Sequence, residues 1–175
     1  EQKFKKLVDV ISALRDPETG CPWDLKQNLD SLTRFCLEEA SEYVSAVVGG
    51  DNDEIKDELG DVLLQVVLNA KVAEQENRFN IDEVIENITE KMIRRHPHVF
   101  GDTKVKDTED VIAKWEEIKQ QEKTQSPVEK LFNIPSSLTG LMEAYQIGKK
   151  STKLNFDWES PEHVLEKVEE ELEEV

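Results

Sequence analysis

The chain has 175 residues, 39 of them acidic against 22 basic, for a formal net charge of −17 at pH 7. That length suits one compact domain or one domain plus a fragment, and the charge excludes a general grip on nucleic-acid backbones, because no basic patch could hold phosphates against such a field. No apolar run reaches membrane-spanning length. The two cysteines, Cys21 and Cys36, form neither a CxxC pair nor a disulfide framework, which fits a reducing, cytoplasmic setting.

Residues 3–15 carry Phe4, Leu7, Val8, Ile11 and Leu14 at helical spacing and predict an amphipathic helix. Asp16-Pro17-Glu18-Thr19-Gly20 ends it, and Cys21-Pro22-Trp23-Asp24 continues as a loop. A helix over 31–48 follows, capped by Asp30 or Ser31 and closed by Gly49 and Gly50. The next helix spans 52–76, with Ile55, Leu59, Val62, Leu63, Val66 and Val67 as its apolar face. Residues 80–94 predict another, with Ile81, Val84, Ile85, Ile88 and Met92 turned inward, and His96-Pro97-His98-Val99-Phe100-Gly101 reads as a rigid turn. A polar helix over 107–123 ends at Gln125-Ser126-Pro127. A helix over 136–150 and an acidic run over 164–175 complete the chain. No segment reads as a strand, so the fold class is all-α, with a bundle as its architecture. The chain opens without methionine and stops within a helical pattern at Val175, as an excerpt of a longer protein would.

The order of parts repeats. Cys21-Pro22-Trp23-Asp24 and Phe156-Asp157-Trp158-Glu159 each lead to a helix with paired glutamates and a third one turn on. Glu38-Glu39-Ala40-Ser41-Glu42 thus has a counterpart in Glu170-Glu171-Leu172-Glu173-Glu174, although any glutamate-rich helix meets that pattern easily.

Chemistry concentrates in five carboxylates: Glu38, Glu39 and Glu42, then Glu58 and Asp61. The short turn Gly49-Gly50-Asp51-Asn52 makes the two helices that bear them an antiparallel hairpin. Counted from the turn, Glu42 and Glu58 lie at comparable depth, with Glu39 and Asp61 one step further in. Phe35, Glu39, Glu42 and Ala46 share one helical row, so two acids interrupt an otherwise apolar line. Glu54, Glu58, Asp61, Gln65 and Asn69 form a polar stripe on the facing helix, which a solvated surface would also explain. Like charges one turn apart cost a few tenths of a kcal/mol per pair unless neutralised. A divalent cation neutralises them, and all-oxygen ligands favour Mg²⁺ with Mn²⁺ as substitute. Zinc is disfavoured, since His96, His98 and His163 are not paired with cysteine at ligand spacing.

Phosphates beside such a metal need cationic partners. Arg94 and Arg95 are candidates, although arginines at a helix C-terminus also serve the macrodipole. Lys114 and Lys119 flank Trp115 on the polar helix, where surface charge and one packing tryptophan account for them equally. Trp23 either stacks on a nucleobase or plugs the end of the bundle.

Together these residues resemble the MazG family of all-α nucleoside triphosphate pyrophosphohydrolases. Its Glu-Glu-x-x-Glu cluster reads here as Glu38-Glu39-Ala40-Ser41-Glu42, and its Glu-x-x-Asp as Glu58-Leu59-Gly60-Asp61. The stretches Gly20-Cys21-Pro22-Trp23-Asp24 and Arg94-Arg95-His96-Pro97-His98-Val99-Phe100-Gly101 match as well. The resemblance implies one full module over 1–126, a linker over 127–137 and the start of a second module over 138–175, which lacks its own Glu-x-x-Asp half. It implies hydrolysis of a nucleoside triphosphate between the α- and β-phosphates, giving monophosphate and pyrophosphate, as house-cleaning of the nucleotide pool. By position, Glu39, Glu42, Glu58 and Asp61 would ligate Mg²⁺. Glu38 would orient or deprotonate the attacking water, or complete the metal shell. Trp23, Arg94, Arg95, Lys114, Trp115 and Lys119 would bind substrate. It also implies a homodimer or higher homo-oligomer, with the bundle completed by the partner. The alternative reading is a non-catalytic helical dimerisation or regulatory module that binds nucleotide or a protein partner.

Overall fold

The computed structural model describes residues 2–122, 134–135, 138, 140–152 and 156–174. Among these every regular element is a helix: α1 Gln2–Leu14, α2 Pro22–Leu25, α3 Leu29–Gly49, α4 Asn52–Gln75, α5 Ile81–Arg95, α6 Pro97–Phe100, α7 Thr108–Gln121, α8 Gly140–Thr152 and α9 Pro161–Glu173. The expected break at Gln125-Ser126-Pro127, most of the 127–137 linker and the Ser136 helix start lie outside the described residues. The chain divides into two compact units, Glu1–Val105 and Lys106–Val175. That division falls ahead of α7, which the sequence groups with the first module. No described helix is long and apolar enough to cross a membrane.

The hairpin α3–α4 is the spine of the first unit, and its ends are set by local chemistry. Asn28, not Asp30 or Ser31, caps α3: its side chain accepts from the Ser31 N–H at 2.9 Å, while Ser31 Oγ accepts from the Asn28 N–H at 3.0 Å. This reciprocal box satisfies two donors that a helix start leaves without partners. At the other end Gly50 adopts φ 81°, a left-handed conformation that glycine reaches without a side-chain penalty. Asp51 then caps α4 by accepting from the Asp53 N–H at 2.8 Å. Asn80 and Glu83 form a second capping box at the start of α5.

The core lies at the open end of the hairpin, where Ile11 of α1 and Leu32 of α3 meet Val67, Leu68 and Val72 of α4. Phe4, Leu7, Val8, Phe35, Leu64 and Ile81 pack around that cluster. The expected inward face of α4 needs correction: Leu59, Leu63 and Val66 are exposed, and so are Ile85 and Ile88 of α5. Apolar periodicity finds a helix face, but burial also needs a neighbour over that face, and these five side chains stay largely uncovered in this unit.

Two segments expected to be irregular contain single helical turns, α2 and α6, each with proline in its first turn. Proline lacks only a donor that this position leaves unused. Arg15, 7% exposed, ties the loop after α1 to the end of α4. Its Nε donates to Gln75 Oε1 at 2.6 Å, its Nη1 donates to the carbonyls of Asp24 and Gln27, and Gln75 Nε2 donates back to the Arg15 carbonyl at 2.9 Å. Gly20 closes the same loop, where an added Cβ would stand 2.5 Å from the carbonyl oxygens of Leu14 and Asp16.

In the second unit, Asp107 caps α7 by accepting from the Asp110 N–H at 2.9 Å. Thr152 at the end of α8 donates to Asp157 at 2.9 Å, and α9 follows.

Candidate metal centre

The hairpin brings Glu39 of α3 together with Glu58 and Asp61 of α4, and each offers a carboxylate oxygen within 4.8 Å of the other two. Glu58 and Asp61 stand three residues apart, so they share a helical face, and the α3–α4 packing sets Glu39 against them. All three are half-buried. Glu58 Oε2 is buried without a hydrogen-bond partner, an expensive condition for a carboxylate oxygen.

The electrostatics match that crowding. Burial pushes the Glu39 carboxyl above its ordinary range, with Asp61, Glu42, Glu38 and Glu58 adding to the shift in that order. Glu58 is raised likewise, by burial first and then by Glu42, Asp61, Asp57 and Glu54. Glu42 therefore borders the site through its charge, although the close group consists of the other three acids. Glu38 is exposed and acts on Glu39 in the same way. The counterpart glutamates of the second unit are differently placed: Glu170 and Glu171 pair with Lys167 at 2.6 and 3.1 Å.

A cation fits the front cluster. The three carboxylate oxygens already lie within 4.8 Å of one another, near enough to close on one hard cation, and the orphaned Glu58 oxygen would gain a partner. All candidate ligands are hard oxygens, which suits Mg²⁺ or Mn²⁺.

The raised carboxyls predict a pH dependence for the metal-free protein. Between the ordinary carboxyl range and the raised values, the folded state binds more protons than the unfolded state, so stability falls as pH rises. Melting temperatures in EDTA are expected to drop as pH climbs from about 4.5 through the raised carboxyl range. The slope should shrink in Glu39→Gln.

The expected substrate residues are distributed. Trp23 is 51% exposed, so it does not plug the bundle; its ring meets Phe35 edge-on at 5.6 Å. Phe35 precedes Glu39 by one turn and carries the Arg34 guanidinium 4.5 Å above its ring. Arg94 and Arg95 occupy the last turn of α5, followed by His96, whose Nδ1 lies 2.6 Å from the Met92 carbonyl. Lys114, Trp115 and Lys119 form a group on α7 in the second unit, with Lys119 Nζ 5.2 Å from the Trp115 ring centre. Lys114 pairs with Asp110 at 3.8 Å and Lys119 with Glu116 at 3.9 Å.

Gln65 is the residue whose role at the site the sequence did not reveal. It is buried, and its Nε2 donates to Glu39 Oε1 at 3.5 Å across the hairpin. Its one visible signal is its place in the polar stripe, four residues after Asp61.

Fold and site define an all-α protein built on a helix hairpin that presents clustered carboxylates. The MazG nucleotide pyrophosphohydrolase domain matches residues 27–100, which include both acidic clusters and the Arg94–Phe100 stretch. The chain is 41% identical over 174 residues to the nucleoside triphosphate pyrophosphohydrolase of Escherichia coli K12, covering 99% of this chain and 66% of that protein. It is 42% identical over 172 residues to the nucleoside triphosphate pyrophosphohydrolase/pyrophosphatase MazG of Thermotoga maritima, covering 98% and 66%. A crystal structure of a mazG-related protein from Thermotoga maritima superposes with a TM-score of 0.57 at 28% identity, covering 66% of this chain and 98% of that one. The chain belongs to the MazG nucleotide pyrophosphohydrolase family. It spans about two thirds (66%) of the length of these two pyrophosphohydrolase relatives.

Proposed function

We propose that the protein is a Mg²⁺-dependent nucleoside triphosphate pyrophosphohydrolase that cleaves NTPs or dNTPs, non-canonical ones included, to monophosphate and pyrophosphate. The observation that carries this reading is the convergence of Glu39, Glu58 and Asp61 around a buried, unpartnered Glu58 oxygen, in a chain of this family. Glu39, Glu58 and Asp61 would hold the ion, with Glu42 alongside, and Mn²⁺ would substitute. When bound, the ion supplies positive charge to the triphosphate and the leaving pyrophosphate, and acidifies a water.

The remaining work falls to the chain. Glu38, exposed beside Glu39, accepts the proton of the attacking water. The new bond joins water oxygen to phosphorus, and the bond that breaks is the anhydride between the α- and β-phosphates. Arg94 and Arg95 are assigned to phosphate oxygens and Trp23 to aromatic contact with the nucleoside. A second copy of the chain is assigned to the exposed apolar rows Leu37, Val44 and Val48 on α3 and Leu59, Leu63 and Val66 on α4.

The test is product analysis on a panel of NTPs and dNTPs, including dUTP and ITP, with Mg²⁺ and with EDTA. Monophosphate and pyrophosphate in equal amounts, formed only with metal, are expected. Absence of turnover across the panel would refute the assignment and leave a regulatory helical module.

A further inference from the structure

The three acids of the candidate centre are not held alike. Glu58 and Asp61 sit three residues apart on α4, so the helix backbone sets one against the other. Glu39 comes from α3, and its carboxylate, at the end of several rotatable bonds, must be brought to the other two from across the hairpin. Among the described residues one side-chain donor reaches it: Gln65 Nε2 donates to Glu39 Oε1 at 3.5 Å, and no ion pair involves Glu39. Gln65 follows Asp61 by four residues on the same stripe of α4, so this bond runs from the helix of two acids to the third. Exchanging the two amide atoms would set oxygen against a carboxylate, so the contact itself fixes the orientation of the amide. It is longer than the usual N–H···O bond, and so it steers the carboxylate without gripping it.

Packing does not account for Gln65. It is the one polar member of the buried set of α4, whose others are Val67, Leu68, Ala70, Val72 and Ala73. The side chain is 8% exposed, and its Oε1 is buried without a partner, a condition that penalises the folded state. An apolar side chain of the same length would avoid that penalty. What such a side chain could not supply is the donor to Glu39.

We propose that Gln65 is a positioning residue, which holds the Glu39 carboxylate toward Glu58 and Asp61 and thereby sets the affinity of the site for its cation. The proposal rests on the cation-site reading and deepens it. Metal ligands are commonly oriented by hydrogen bonds of this outer kind, and losing one costs about ten- to hundredfold in metal affinity.

Gln65→Met keeps the unbranched length and removes both amide atoms, and Gln65→Leu serves as a second variant of different shape. Mg²⁺ is titrated against melting temperature for the wild type, for each variant, and for each combined with Glu39→Asp, whose shorter side chain keeps a carboxylate but draws it away from position 65. The apparent Kd for Mg²⁺ is expected to rise about tenfold or more in Gln65→Met. Its melting temperature in EDTA should not fall, because the orphaned oxygen is gone. In the Glu39→Asp background the same substitution should leave Kd where it was, since the contact it removes is already lost. Hydrolysis gives a second readout: the Mg²⁺ concentration for half-maximal rate should rise by the same factor as Kd, and excess Mg²⁺ should restore most of the lost rate.

An unchanged Kd in both Gln65 variants would make Gln65 a structural residue and overturn the proposal. An equal loss of affinity with and without Glu39→Asp would also overturn it, because the effect would not pass through Glu39. Absence of any Mg²⁺ response in the wild type would instead refute the cation site itself, and the proposal with it.

Discussion

Asp61→Ala is expected to lower turnover by about a thousandfold or more, since losing a metal ligand removes several kcal/mol of charge stabilisation from the reacting phosphates. The same substitution should raise the melting temperature of the metal-free protein. Asp61 contributes like charge to both Glu39 and Glu58, and alanine favours a helix interior more than aspartate does. Steady-state kinetics with Mg²⁺ and thermal melts in EDTA measure the two effects on one preparation. Opposite signs are the mark of a site whose crowding serves binding and not folding. A variant that kept full activity would remove Asp61 from the site. One that lost activity and unfolded would make Asp61 a structural residue.

Arg15→Ala is expected to cost about 3–5 kcal/mol of stability, because it strands the Asp24 and Gln27 carbonyls and one side of Gln75 in a largely buried junction. Burial lowers the Arg15 pKa, with Asp24 and Glu76 acting in the opposite direction, so this guanidinium stays charged and committed to its partners. Arg15→Lys should recover only part of the loss, since an ammonium cannot supply the planar fork that reaches Gln75 and the two carbonyls together. Urea denaturation gives the comparison. Effects below about 1 kcal/mol, the range of surface substitutions, would show that the junction tolerates solvent.

Those two residues differ in how legible they are. Asp61 announces itself: Glu58-Leu59-Gly60-Asp61 recurs at hairpin distance from Glu38-Glu39-Ala40-Ser41-Glu42, and the intervening Gly49-Gly50 turn dictates that they meet. Arg15 gives no such sign, because its partners lie 9, 12 and 60 residues away and only tertiary packing assembles them. Gln65 is hidden for a related reason. In sequence it belongs to a polar stripe that water could cover equally well, and its burial follows from the way α3 and α4 pack. The helices themselves follow from caps and periodicity, except that α2 and α6 read as breaks because proline both interrupts and initiates helices. Apolar residues on α4 and α5 misled in the other direction. Leu59, Leu63, Val66, Ile85 and Ile88 keep helical spacing yet stay exposed, since periodicity tells which face is apolar but not what lies opposite it.

The claim that the crowded hairpin carboxylates form a cation site is tested most directly by titrating Mg²⁺ against the melting temperature of the wild-type protein and of Asp61→Ala. A ligand that binds only the folded state stabilises it in proportion to the logarithm of its concentration above Kd. The wild type should therefore gain stability progressively with Mg²⁺, and Asp61→Ala should respond little or not at all. An absent response in the wild type, or the same response in both proteins, would contradict the account.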